Sequence, residues 1–130
     1  MSERNVLGEP LEPCSVDPVT GFFRDGCCRP DPRGVGSHLV CAVVTQEFLE
    51  HQKRIGNDLS TPMPHYGFPG LVPGDRWCVT VVNWRRAYED GAASFVVLAS
   101  TSERALDTVP LAALREHAVD VPTGPGELTG

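Results

Sequence analysis

The stretch GFFRDGCCRP, residues 21 to 30, sets two adjacent cysteines in a turn beside Arg24, Asp25 and Arg29. A cation next to a thiol favours the thiolate, the form that attacks electrophiles, exchanges disulfides or binds metal. Four uses of Cys27 and Cys28 are open: a disulfide framework, a metal site, a reactive centre or simple packing. A bridge between the two neighbours would strain the peptide that joins them and is not expected. The chain has five cysteines, an odd number, and in a reducing compartment that count predicts no structural disulfide set. Zinc sites are usually announced by a C-x2-C pair, because one tight turn then presents two thiolates to a tetrahedral ion. None is present. Cys14, Cys28, His38 and Cys41 could be assembled into a site, but their spacing recommends nothing in particular and no metal is expected.

The thiol reading makes Cys28 the nucleophile or redox group and His38, three residues before Cys41, its base or orienter. The competing reading is packing, since cysteine is among the most buried residue types. Cys41 and Cys78 lie inside apolar runs, where packing is the expected role. A second candidate is GNDLSTP, residues 56 to 62. Asn57, Asp58, Ser60 and Thr61 bring donors and acceptors together as a polar ligand requires, although the same residues form turns through their own backbone. His65, Tyr66 and Phe68 could close over such a loop or anchor it.

Other chemistry finds little support. There is no Gly-rich phosphate loop, no G-x-S-x-G elbow and no H-E-x-x-H. Eleven basic against 17 acidic residues leave a net charge of -6, with no basic stripe for a phosphate backbone, so nucleic acid is not an expected partner. No apolar run approaches the ~18 to 20 residues that span a bilayer, and MSERNVLGEP lacks a signal pattern. A cytoplasmic protein with no membrane partner is expected. Neither cofactor nor oligomeric state can be read.

The elements that must position these residues are short, as 13 Gly and 12 Pro in 130 residues suggest. Residues 1 to 37 are dense in turn signals without sustained period, with room for one hairpin around Phe22 and Phe23. LVCAVVT, residues 39 to 45, has the length and β-branching of a buried strand. It leads into a helix capped by Thr45 and stopped at Gly56, with Phe48, Leu49, Gln52 and Ile55 on one face. Residues 56 to 74 form a long loop whose aromatics and Leu59, Leu71 and Val72 predict order. WCVTVVNW, residues 77 to 84, reads as a second strand, RRAYEDG as a short helix, and SFVVLAST, residues 94 to 101, as a third strand. A last helix covers residues 111 to 118 behind Pro110. The whole predicts an α+β fold: a small mixed sheet, about three helices and an irregular N-terminal third, as a single domain over residues 1 to 120 with a flexible tail at 121 to 130.

PLEPCSVDPVTGFFRDGCC, GSHLVCAVVTQEFLE, GNDLSTPMPHYGFPGLVPGDRWC and VVLASTSERAL together resemble the bacterial family called domain of unknown function 2237, over residues 5 to 118. The resemblance implies a compact intracellular domain and assigns no reaction. Its motif positions nominate Cys14, Cys28, His38, Asn57, Asp58 and Ser60. The family often reads W-C-L-C where this chain has Trp77-Cys78-Val79-Thr80, so any centre that uses the second cysteine is in doubt here.

The expected function is a thiol-centred enzyme or enzyme-like protein acting on a small polar ligand, with Cys28 and His38 catalytic. Cys14, Arg24, Asn57, Asp58, Ser60 and Tyr66 would contact the ligand where the CC turn meets the GNDLSTP loop. The alternative is a non-catalytic ligand- or protein-binding accessory protein with structural cysteines.

Overall fold

A computed structural model describes residues 3–15, 26–30, 38–66 and 70–120. Three strands, β1 (His38–Val43), β2 (Arg76–Thr80) and β3 (Phe95–Val96), form one sheet in the order β2-β1-β3, with both pairings antiparallel. Three helices accompany it: α1 (Gln46–Arg54), α2 (Val81–Glu89) and α3 (Leu111–Glu116). This is the expected α+β architecture. Parallel pairing is confined, among the described residues, to an isolated bridge between Val96 and Ala118.

Strand β1 is central because it is apolar on both faces, with Leu39 to Ala42 all buried. Val40, Ala42 and Val44 enter the main core with Phe48 and Leu49 of α1 and with Trp84 and Ala87 of α2. Cys41 and Val43 point the other way, into a second cluster, as the two-residue alternation of a strand requires. Helix α1 starts where Thr45 accepts the amide of Phe48 at 3.1 Å and ends at Ile55, followed by Gly56 at φ +91°. Both termini match the sequence reading.

Two boundaries differ from expectation. The run predicted as a strand over 77 to 84 stops at Thr80, whose hydroxyl accepts from Asn83 and starts α2 at Val81. Val81, Trp84 and Ala87 are buried at helical spacing, a pattern that an apolar run of this length shares with a strand. The third strand shortens to Phe95–Val96, and Leu98–Ser100 turns into a 3-10 helix. The Asp120 carboxylate accepts the amides of Leu98 at 2.7 Å and Ala99 at 3.0 Å, which takes them out of any ladder.

The described part of the N-terminal third holds no helix or named strand. It is nevertheless tied down: Val6 donates to Thr101 and Glu12 to Ala99. Buried Asn5 donates to the carbonyls of Pro10 and Ala99 and accepts the amides of Leu7 and Glu9. The hairpin expected around Phe22 and Phe23 lies outside the described residues.

Candidate functional site

The irregular N-terminal segments reach the sheet on the face of β1 that carries Cys41. Cys41 stands directly opposite Cys78 in the β1–β2 register, and neighbours of that kind have Cβ atoms about 4.5–5.5 Å apart. The Cys14 amide donates to the Gly26 carbonyl at 2.6 Å, which draws residues 14 and 28 to the same place. The outcome is two disulfides, Cys14–Cys41 and Cys28–Cys78, with Cα separations of 5.6 and 5.3 Å. All four residues are buried, with Cys28 and Cys41 fully inaccessible, and they pack with Val97 and Val43. Cys27 takes part in neither bridge and is half-buried.

The expected absence of disulfides is therefore corrected. An odd cysteine count leaves room for two bridges and a fifth residue, and the partners are 27 and 50 residues apart, beyond what local spacing can reveal. The packing role expected for Cys41 and Cys78 holds for their burial but omits their bonds. In the bridged state Cys28 has no thiol to ionise. His38 opens β1 opposite Thr80 and is half-buried.

The GNDLSTP loop follows α1 on the opposite side of the sheet. Leu59 packs against the main core, of which Leu71 is part, and the Leu71 amide donates to the Leu59 carbonyl at 2.8 Å. Gly70, at φ +80°, makes that approach possible, since a Cβ there would sit 2.5 Å from the Ser60 carbonyl oxygen. The predicted meeting of the CC turn with this loop does not occur: the sulfurs occupy one face of the sheet and the Asn-Asp loop the helix-covered face.

Most polar groups of the loop are engaged within the chain. Asp58 accepts the amides of Ser60 at 2.9 Å and Thr61 at 3.3 Å, and the Thr61 hydroxyl at 2.6 Å. The Thr61 hydroxyl, then the Ser60 amide, hold its carboxyl below the ordinary value of 3.8. Asn57 donates its side-chain amide to Gln52 Oε1 at 2.8 Å. That bond continues inward through residues the sequence reading missed. Gln52 Nε2 lies 3.1 Å from His51 Nδ1, and His51 Nε2 lies 2.7 Å from Asp90. An amide nitrogen can only donate, so Nδ1 accepts and the ring hydrogen sits on Nε2, directed at Asp90. His51 is 2% exposed. Its place beside Gln52 on the buried side of α1 was the available signal.

Beside α1 lies a hollow of about 470 Å³ lined by Gln46, Leu49, Glu50, Lys53, Ser60, Leu71, Val72 and Pro73. Of the nominated residues, Ser60 borders it. Tyr66 ends the 3-10 turn Pro64–Tyr66, and Arg24 lies outside the described residues. Among the described residues no helix is long and apolar enough to cross a membrane.

The family model described as "Uncharacterized protein conserved in bacteria (DUF2237)" matches residues 4–118, and the chain belongs to that family. Comparison with curated proteins gives no match.

Proposed function

We propose that the protein is a non-catalytic binding protein with structural cysteines, whose ligand surface is the hollow beside α1. The observation that carries this reading is a division of labour between the two faces of the sheet. The paired sulfurs are sealed inside and bonded to one another, whereas the hollow is open and chemically mixed. Its volume falls within the ~300–1,000 Å³ usual for small-molecule sites. Leu49 and Leu71 supply an apolar floor, with exposed Val72 and with Glu50, Lys53 and Ser60 at the margin. Opposite charges three residues apart on one helix suit a small polar ligand with both an anionic and a cationic group, such as a free amino acid.

The test is an amide NMR titration of the intact chain with a panel of free amino acids. Saturable shifts at Leu49, Lys53, Ser60 and Leu71, abolished by Lys53→Glu, are expected. Absence of any saturable shift there would remove the hollow as the ligand surface. Rapid alkylation of Cys28 at neutral pH once the Cys28–Cys78 bridge is opened by a reductant, well ahead of the other cysteines, would instead favour the thiol-centred enzyme.

A further inference from the structure

We propose that the sulfur cluster is a zinc site in the reduced protein, held by the thiolates of Cys14, Cys28 and Cys78 with Cys41 as the fourth ligand. The proposal stands apart from the hollow and concerns the other face of the sheet.

The Sγ atoms of Cys14, Cys28 and Cys78 all lie within 4.8 Å of one another, although each belongs to a bridge and the three span two different bridges. The register that sets Cys41 opposite Cys78 brings the two bridges side by side, and that closeness suits a metal: at a Zn–S distance of about 2.3 Å, the sulfurs of a tetrahedral site stand about 3.8 Å apart. Cys41 is bonded to Cys14 and opposite Cys78, so opening the bridges releases its thiol at the border of the trio. The backbone that presents these residues is held independently of the sulfurs. Cys41 donates its amide to the Thr101 hydroxyl at 3.1 Å, that hydroxyl donates to the Val97 carbonyl at 2.8 Å, and Cys14 is tied to Gly26.

Four thiols released into one buried space would be poorly placed as isolated ions, and a divalent, thiophilic cation offsets their charge. Burial on all sides leaves no open coordination position, which makes the site structural. No C-x2-C pair announces it, because each ligand comes from a different segment of the chain: residues 14, 28, β1 and β2.

Opening the site takes a reductant. With a water-soluble phosphine, each bridge accepts two electrons from phosphorus and two protons from water, and the water oxygen leaves on the phosphine oxide. Zinc then displaces the thiol protons, which pass to buffer.

The experiment is an anaerobic titration of the phosphine-reduced full chain with Co²⁺, followed by Zn²⁺. One equivalent of cobalt should develop thiolate charge-transfer absorption with the visible bands of a tetrahedral ion, and one equivalent of zinc should abolish both. Zinc should also raise the thermal midpoint of the reduced wild-type chain, a readout that does not depend on any variant folding. Cys28→Ser and Cys78→Ser should lose the cobalt spectrum, and Cys27→Ser, one residue away but outside the cluster, should keep it. A reduced wild-type chain that develops no such spectrum, whether folded or unfolded, overturns the proposal. So does equal loss in Cys27→Ser and Cys28→Ser, or uptake by the oxidised protein.

Discussion

Cys41 and Cys78 face each other across the β1–β2 ladder, yet neither is bonded to the other. Each is bonded to a cysteine brought in from an irregular segment, Cys41 to Cys14 and Cys78 to Cys28. The bridges therefore pin residue 14 to the central strand and residue 28 to the edge strand β2, and leave the ladder to its own hydrogen bonds.

That arrangement predicts a ranking of the two bridges. Chain entropy assigns about 3.5 kcal/mol to a loop as long as that closed by Cys14–Cys41 and about 4 kcal/mol to that of Cys28–Cys78, because the second bridge spans 50 residues and the first 27. Urea unfolding of the two double Ser variants, without metal, should place the Cys28→Ser/Cys78→Ser protein lower by roughly half a kcal/mol. The reverse order would mean that native contacts, and not loop closure, dominate.

Asn5 should matter more than an N-terminal position usually does. It is fully buried, and its side chain serves two carbonyls and two amides. Asn5→Ala removes four part-buried hydrogen bonds at once, with an expected loss of about 2–3 kcal/mol. Chemical denaturation should show this loss, and amide exchange should show lost protection at Leu7 and Glu9.

The Asp58 carboxyl should titrate below 3.8 in the folded protein, and Thr61→Val should move it back up by removing the largest cause. A lowered acid favours folding above its unfolded value, and this contribution disappears as pH falls through the folded one. Asp58→Asn should accordingly flatten the stability profile below about pH 4 and leave its shape near neutrality unchanged. Carboxyl-detected NMR gives the first result and urea titrations across pH the second.

His51→Ala should cost about 2–4 kcal/mol, from the void it opens and the hydrogen bond the Gln52 amide loses, which leaves that amide only its 3.4 Å bond to the Asn83 carbonyl. Asn57→Ala, at the half-buried outer end of the same line, should cost about 1 kcal/mol. Thermal denaturation of the two variants checks the order. Equal losses would show that the line acts as one unit.

Much of this architecture is legible from short-range pattern. Thr45 and Gly56 bracket α1 because a cap is made with amides and carbonyls a few residues away. The strand at β1 is recognisable from β-branching alone. The β2–α2 junction is not, since Cys78 to Trp84 is apolar under either period and only the Thr80 cap decides between them. That Asn57 and Asp58 can serve either a ligand or a turn is plain from their types, but whether their side chains meet the chain itself depends on Gln52 and Thr61 being within reach.

The amino-acid order alone determined the α+β class, the family and where α1 begins and ends, because those follow from contacts within about four residues or from motif identity. Only the tertiary structure decided which cysteines pair, that three sulfurs from two bridges crowd together, and that the CC turn and the Asn57–Ser60 loop lie on opposite faces of the sheet. Strand register and the docking of irregular segments set those relationships, and neither leaves a local trace.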